Sequence, residues 1–219
     1  MYICFLGMPG SGKGTQSKRI SEYLNLPHLS IGDVMRNEIT TQSNIGKKIT
    51  EIIELNSLLI KRKNSIEVFE HLAIEIITEK LKQADYSRGV ILDGFPRTIY
   101  QAESINKIIG RELCKVVFLK INNVEEIYER IMNRLTCTSC GEIYSLIKSD
   151  IKYCTQCNSR LDIRMEDNID IVRNRLEEYH LKTVKLISYY KEKNILIEVD
   201  GSEEENKVFS NIRTKIKRG

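Results

Sequence analysis

The sequence predicts an α/β protein in which helices cover both faces of a parallel sheet. Continuous apolar runs, "YICFLG", "GVILDG", "KVVFLKI" and "ILIEVDG", are typical of strands that are buried on both faces. Segments with helical spacing separate these runs, and that alternation indicates a doubly wound fold with right-handed crossovers.

The elements follow in chain order. The first run leads through glycines into a helix, because Ile20 and Leu24 lie near helical spacing. Residues 30–60 are helical in pattern without a strand between, and residues 135–167 have little helical periodicity. Further helices are predicted at 62–83, 98–109, 124–134, 168–191 and 204–217.

Composition narrows the class of protein. The chain has 219 residues, enough for one large domain or a core with small lobes, and 41% of them are hydrophobic, which argues against disorder. A net charge of +4 is too small to indicate nucleic-acid binding by itself. The sequence contains no run of 18 apolar residues, so we expect no membrane span.

The N-terminus leads straight into the glycines, so we expect an intracellular, cytoplasmic protein with reduced cysteines. Cys4 and Cys114 stand alone in apolar surroundings, and both are predicted to be small core residues.

The stretch "LGMPGSGKGT" predicts a phosphate-binding loop, although the hydroxyl arrives at Thr15, one residue later than in the usual pattern. Its glycines let the backbone approach an anion closely. Backbone N–H groups and the start of the next helix then favour a phosphate. Lys13 would reach the terminal phosphates, and Thr15 could approach a magnesium ion.

An acidic residue at the end of a strand supports this hypothesis. Asp93 closes the run "GVILD", where a carboxylate can face metal-bound phosphates. Gly94, Phe95, Pro96 and Arg97 then form a sharp turn that brings a guanidinium to the same edge. Ligands of open α/β sheets bind at this edge.

Four cysteines form two pairs with the same spacing. Cys137 and Cys140 are followed, after thirteen residues, by Cys154 and Cys157. Inside a cell this spacing favours a tetrahedral zinc site, with Gly141 easing the first turn. Disulfides, a redox pair and a nucleic-acid-binding zinc ribbon are the alternatives.

"GMPGSGKGT" together with "LDGFPRT" resembles the adenylate kinases and their nucleoside monophosphate kinase relatives. The resemblance continues at "LSIGDVMR", "ERIMNR", "VRNRLEEYH" and "VDGS" and covers essentially the whole chain. It implies a P-loop kinase core with a five-stranded parallel sheet, and transfer of the terminal phosphoryl group of Mg-ATP to AMP. The implied division is a core of 1–29, 61–132 and 168–219, an acceptor lobe of 30–60 and a zinc lid of 133–167.

The resemblance also implies a set of site residues. The expected donor-binding residues are Gly10, Ser11, Gly12, Lys13, Gly14, Thr15, Arg130, Arg134, Ile143, Tyr144 and Ser202. The expected acceptor-binding residues are Ile31, Arg36, Ser57, Leu58, Leu59, Gly94, Phe95, Pro96, Arg97, Gln101, Arg164 and Arg175. Magnesium would lie near Thr15 and Asp93, zinc would bind the four paired cysteines, and the catalytic group would comprise Lys13, Arg97, Arg134, Arg164 and Arg175.

Arginine suits these roles because its planar fork matches phosphate oxygens. Arg130 and Arg134 are four apart on a predicted helix, so we expect them to share a face. The three histidines, His28, His71 and His180, are interpreted as structural.

Two positions depart from the family. Ile31 stands where adenylate kinases usually carry Thr and cannot hydrogen-bond a base, while Gln101, the other expected base reader, is present. Glu166 replaces one aspartate of the family's lid motif.

AMP is the expected acceptor, with a UMP/CMP-type kinase as the alternative. A nucleotide sensor or zinc-dependent nucleic-acid binder is a rival from another class. We expect ATP, AMP and ADP as partners, no nucleic acid or membrane, and a monomer.

Overall fold

The computed structural model describes residues 1–57, 63–83, 86–110, 113–147 and 151–217. The strands are β1 (Tyr2–Gly7), β2 (His28–Ser30), β3 (Val90–Asp93), β4 (Lys115–Lys120), β5 (Arg134–Cys137), β6 (Ile143–Ser145), β7 (Leu161–Asp162) and β8 (Leu196–Asp200). Five of them form one sheet in the order β2-β3-β1-β4-β8, and every neighbouring pair is parallel. The predicted five-stranded parallel sheet is confirmed.

Helices connect these strands. They are α1 (Lys13–Leu24), α2 (Ile31–Thr40), α3 (Asn44–Ser57), α4 (Lys63–Gln83), α5 (Ile99–Ile109), α6 (Val124–Met132), α7 (Ile169–Glu178), α8 (Val184–Glu192) and α9 (Glu205–Lys217), with a π-turn at Tyr179–Thr183 between α7 and α8. Among the described residues, no helix combines the length and apolar character that a bilayer crossing requires.

Strand β1 explains why the strands are apolar on both faces. Its side chains alternate between two hydrophobic clusters, as a strand requires. Cys4 packs on one face with residues of α5 to α8, and Phe5 packs on the other face with residues of α1 and α9. Both side chains are fully buried. A polar residue at either position would therefore lie inside a core.

A second, smaller sheet lies in the segment that carries the four paired cysteines, and Cys137 is the last residue of its strand β5. Its antiparallel order is β6-β5-β7. Its core consists of Leu135, Cys137, Cys154 and Leu161, with Tyr144 and Ile151 packed against it. We call residues 134–162 the cysteine lobe.

The prediction that Arg134 continues a helix is wrong. Helix α6 ends at Met132, and Asn133 caps it through its backbone and side-chain N–H groups, which both bond the Glu129 carbonyl. Arg134 is the first residue of β5 and lies half-buried, while Leu135 turns into the core of the cysteine lobe. Arg130 therefore does not share a helix face with Arg134.

Three further points of the sequence analysis need correction. Cys114 is exposed, because it precedes β4 and the buried neighbour is Leu113. The single helix expected at 168–191 is interrupted by the π-turn, whose wider coil turns Tyr179 and Thr183 inward and leaves Leu181 68% exposed. Strand β2 also interrupts the stretch before residue 31 and was not expected from its pattern.

Candidate active site

The glycine loop between β1 and α1 has the backbone of an anion cradle. Gly10 and Gly12 have φ values of +77° and +87°, a region that favours glycine. Gly12 precedes α1 and has no side chain with which to cap it. The first N–H groups of α1, from Lys13 onward, are therefore available to a bound anion.

Lys13 lies folded back over this loop. Its Nζ donates to the carbonyls of Gly7 at 2.9 Å and Met8 at 2.7 Å. The pKa of Lys13 is lowered to about 7, mainly by burial; Asp93 opposes the shift, and the charges of nearby arginines add to it. An anion in the loop would favour the charged form of Lys13.

The loop packs tightly against the sheet and the segment after β8. A Cβ on Gly7 would lie 2.7 Å from the Leu119 carbonyl oxygen, and one on Gly201 would lie 3.2 Å from the Ser11 carbonyl oxygen. The Ser11 Oγ is buried without a hydrogen-bond partner in the described chain. Ser202, next to Gly201, bonds Asp200 through its backbone and hydroxyl.

Asp93 lies beside the start of α1, as its position at a strand end predicts. A Cβ on Gly14 would lie 3.3 Å from the Asp93 Oδ2, and Thr15 is the next residue of the helix. Carboxylate and hydroxyl oxygens are ligands that Mg²⁺ accepts. The pair Thr15 and Asp93 therefore fits a magnesium ion carried by nucleotide phosphates.

The turn after β3 holds Arg97 at three points. The Arg97 Nε donates to the Gly94 carbonyl at 2.9 Å, and the Arg97 backbone N–H donates to Gln101 Oε1 at 2.8 Å. Thr183, from the π-turn, donates its hydroxyl to the Arg97 carbonyl at 3.3 Å. The sequence interpretation missed Thr183, which has no local signal because it is 86 residues away.

Ile31 and Phe95 form the apolar floor beside this turn, with exposures of 2% and 1%. A Cβ on Gly94 would lie 3.2 Å from Ile31 Cγ2 and 3.5 Å from an Arg97 nitrogen. Gln101, expected to read a base, uses its Oε1 for the Arg97 backbone instead. Pro96 follows Phe95 through a cis peptide bond.

Arg36 lies between two carboxylates. It pairs with Asp33 on its own helix and donates to Glu166 Oε1 at 2.7 Å. Burial opposes its charge, but these two carboxylates outweigh burial and raise the pKa of Arg36. The contact with Glu166 joins α2 to the segment that leaves the cysteine lobe.

Three more arginines lie at the start of that lobe or in the chain that follows it. Arg134 binds Asp167 with two nitrogens, and the Asp167 side chain is fully buried. Arg164 donates its Nε to Thr136 at 2.9 Å. Burial first, and neighbouring arginines second, lower the pKa values of Arg164 and Arg175 to about 10.

Guanidinium groups from different elements converge near Lys13. Arg97, Arg134 and Arg175 all act electrostatically on Lys13. Arg175 also has a buried Nη1 with no hydrogen-bond partner in the described chain. Guanidinium groups that converge near a lysine favour a polyanion with several oxygens.

Of the expected donor residues Arg130, Ile143 and Tyr144, Ile143 is the one that contacts the helix of the glycine loop. Arg130 pairs with Glu126 at 2.6 Å on α6. A Cβ on Gly14 would lie 3.7 Å from Ile143 Cδ1, so Ile143 lies over the start of α1. The Tyr144 hydroxyl lies 3.3 Å from the Cys154 sulfur and 3.0 Å from Thr155 Oγ1, inside the lobe.

Part of the acceptor prediction lies outside the described residues. Leu58 and Leu59 fall there, and Ser57 is described only as the last residue of α3, without its side chain. Their expected contacts stay predictions.

The four paired cysteines can hold a metal ion. All four sulfurs lie within 4.8 Å of one another. Backbone N–H groups of Ser139 and Cys140 point to the Cys137 sulfur, each at 3.4 Å, as does Gln156 to Cys154. Such donors stabilise thiolates, and four converging thiols suit tetrahedral zinc.

Two local features support the fit of this donor set. Gly141 has a φ of +73°, which eases the turn after Cys140, as the sequence predicts. Hydrogen bonds from Ser159 lower the pKa of Cys157 to about 6, and thiolates are the form that metals bind.

The histidines pack against neighbours rather than entering the arginine cluster. The His28 Nε2 lies 2.9 Å from Ser17 Oγ on α1, while His71 and His180 make edge contacts with Tyr100 and Tyr179. These contacts agree with their interpretation as structural residues.

The parallel sheet, the glycine loop and the converging arginines define a phosphate-loop α/β protein built to hold more than one phosphate group. Comparisons with known proteins place it more closely. The profile of the family described as adenylate kinase matches residues 5–195. The chain belongs to the adenylate kinase family.

Relatives extend the match over the whole chain. A protein named adenylate kinase from Thermosipho africanus is 37% identical, with 100% of both chains covered. Those from Kosmotoga olearia and Archaeoglobus fulgidus are 41% and 39% identical, covering 92% of both chains in the first case, and 100% of this chain and 99% of the relative in the second.

Proposed function

We propose that this protein catalyses reversible transfer of the terminal phosphoryl group of Mg-ATP to AMP, which yields two ADP. The observation that carries the proposal is the cluster of Arg97, Arg134 and Arg175 around Lys13, in which the buried Arg175 Nη1 has no partner in the described chain. Membership of the adenylate kinase family and relatives of that name over the full length support it.

The donor would lie in the glycine loop. The N–H groups at the start of α1 and the Lys13 ammonium would hold its phosphates, once Lys13 leaves the carbonyls of Gly7 and Met8. Magnesium arrives with the ATP, and Thr15 and Asp93 are the residues that would contact it. Arg130, Ile143, Tyr144 and Ser202 are proposed to surround the rest of the donor.

The acceptor would lie on the Ile31 and Phe95 side. Arg97, fixed by Gln101 and Thr183, would bind its phosphate, and Arg36 would join it by exchanging a carboxylate for the phosphate. The base would rest on the apolar floor, where Ile31 offers shape but no hydrogen bond.

Transfer itself needs positioning and charge stabilisation rather than a protein nucleophile. The transferring group spreads negative charge over its equatorial oxygens. Arg134, Arg164 and Arg175 would stabilise that charge from the lobe side and Lys13 from the loop. Because Arg134 and Arg164 are already ordered by Asp167 and Thr136, these two side chains would need little reorganisation during the reaction.

The cysteine lobe is proposed to act as a lid at 133–167, with 30–60 as the acceptor lobe and the remainder as the core. Cys137, Cys140, Cys154 and Cys157 would bind zinc, which would supply a structural crosslink. A cytoplasmic, monomeric protein completes the proposal. Free thiols at four converging cysteines suit a reducing compartment.

A nucleotide-resolved assay tests the function. Purified protein is mixed with Mg-ATP and AMP, CMP, UMP or GMP in separate reactions, and product nucleotides are separated and counted. We expect ADP from AMP to form fastest. Preference for UMP or CMP would reassign the acceptor, a result that the apolar Ile31 makes worth testing. ATP binding without transfer to any acceptor would contradict the proposal.

A further inference from the structure

An ion pair joins the cysteine lobe directly to the helix of the phosphate loop. Lys18 of α1 pairs with Glu142 of the lobe, a residue 124 positions away in sequence. Their side chains are 39% and 24% exposed, so the pair is partly shielded from water. Neither residue belongs to the donor or acceptor set described above.

Glu142 is held rigidly on the lobe side. It follows Cys140 and Gly141, and its backbone carbonyl accepts a hydrogen bond from the Cys137 N–H at 2.8 Å. The carboxylate therefore projects from the turn that carries the first two cysteines. Because the backbone of Glu142 is fixed by this turn, forming the ion pair has to order only the two side chains.

Lys18 is held equally well on the core side. It lies on α1, the helix whose first residue is Lys13, so its position follows that of the phosphate loop. The next lobe residue after Glu142, Ile143, lies over Gly14 of the same helix. The contact thus has an ionic part at Lys18 and an apolar part at Gly14, one turn apart.

Charges around Lys18 favour this pairing. The hydrogen bond and charge of Glu142 are the main causes that raise the pKa of Lys18, and Glu22 adds to them. Arg19, the adjacent residue, faces α9 instead and bonds Glu205 and Asn206. Of these two neighbouring cations of α1, Lys18 is the one that contacts the cysteine lobe.

We propose that Lys18 and Glu142 are positioning residues that seat the cysteine lobe on α1 and thereby favour donor binding over acceptor binding. The inference rests on the proposed function and deepens it. The pair touches no reacting atom; it acts by stabilising the arrangement in which Ile143 lies over the loop. Its loss should weaken ATP binding and leave AMP binding nearly unchanged.

The test is a double-mutant cycle with Lys18→Met, Glu142→Gln, both together, and the exchanged pair Lys18→Glu with Glu142→Lys. We expect each single variant to raise the Kd for ATP, measured without acceptor, about 2- to 5-fold at low salt. The KM for AMP should change less than the KM for ATP. The double variant should be no weaker than either single one, and the exchanged pair should recover most of the affinity.

Lys207→Met is a matched control. Lys207 pairs with Glu203 at 2.8 Å across one turn at the start of α9, so the same substitution breaks an ion pair that does not involve the lobe. Lys18→Arg, which keeps the charge, should retain the wild-type Kd. Additive effects in the double variant, or equal losses for ATP and AMP, would overturn the inference.

Failure of the proposed function gives a different result. If the wild-type protein binds ATP but transfers no phosphoryl group, the proposed function fails. The double-mutant cycle, which is based on the Kd for ATP, still measures the coupling between Lys18 and Glu142. If the wild-type protein phosphorylates AMP but the single variants bind ATP with the wild-type Kd, the ion pair does not contribute to ATP binding, and only this inference fails.

Discussion

The sheet body and the cysteine lobe are stabilised in different ways. The body buries two hydrophobic clusters, one on each face of the parallel sheet. The lobe buries only Leu135, Cys137, Cys154 and Leu161 in its described part. A region with so few buried side chains cannot offset the entropy of ordering its backbone, whereas the body can.

The difference indicates what the four thiols do. A metal crosslink can order a small region without a hydrophobic core, because binding energy becomes folding energy. The lobe can then contribute Arg134 to the site as part of a rigid unit. Substitutions in the two regions should consequently have different signatures.

Metal removal should have the largest effect and should be confined to the lobe. After treatment with a strong chelator, we expect amide hydrogens of β5 to β7 to lose protection about 100-fold or more, because structural zinc contributes on the order of 10 kcal/mol. Amides of β1, β3 and β4 should keep theirs. Hydrogen exchange followed by mass spectrometry measures the protection of both regions in one experiment. An equal loss of protection in both regions would contradict the view that the metal stabilises only the lobe.

A change in the phosphate loop should give the opposite signature. Lys13→Ala should lower kcat/KM about 100- to 1000-fold, the size expected when one charge-stabilising group is lost. The melting temperature should stay within a few degrees of wild type, since Lys13 is half-buried and bonds only backbone carbonyls. Lys207→Ala serves as the lysine control and should keep full activity.

Matched leucine truncations compare the two cores directly. Leu92, fully buried in β3, should cost about 2 to 5 kcal/mol of unfolding free energy when changed to Ala. Leu161→Ala in the lobe should barely move the main urea transition while the metal is bound. A large shift of that transition by Leu161→Ala would mean that the two regions unfold as one unit.

The smallest expected effect is the uptake of a proton by Lys13 when ATP binds. With a pKa of about 7, Lys13 is mostly neutral at pH 8 in the free protein, and nucleotide phosphates favour its charged form. ATP binding at pH 8 should therefore take up as much as about one proton, and almost none at pH 6. Calorimetry in two buffers of different ionisation enthalpy measures the uptake, and Lys13→Arg should abolish it.

The same group gives a sign for stability. The unfolded lysine, with its ordinary pKa of 10.5, binds more protons than the folded one between about pH 7 and 10. The contribution of Lys13 to the free energy of unfolding of the free protein therefore rises with pH across that window.

Local patterns predicted the sheet and the loop. Strands buried on both faces are continuous apolar runs, and the glycines with Lys13 form a local signal, so both could be predicted from sequence. The end of α6 could not, because apolar spacing continued past Met132, while the Asn133 cap and the burial of Leu135 in the lobe decide where the helix stops.

Contacts between distant residues were also out of reach. Thr183 supports Arg97 from a π-turn, and Lys18 meets Glu142 across the molecule. Each contact depends on how two elements pack against each other. The sequence around Thr183, Lys18 and Glu142 looks like that of ordinary surface residues. Cys114 shows a different kind of error. Its apolar neighbours in the sequence predicted a buried side chain, but the buried residue is the adjacent Leu113, and Cys114 is exposed.

The contacts of Arg36 carry a consequence for selectivity. Its charge is neutralised by Asp33 and Glu166. If Arg36 binds the acceptor phosphate as proposed, an entering nucleotide would exchange a carboxylate counter-ion for a phosphate. A nucleoside that lacks the phosphate would have nothing to exchange, so the proposed site would discriminate by charge before it discriminates by base.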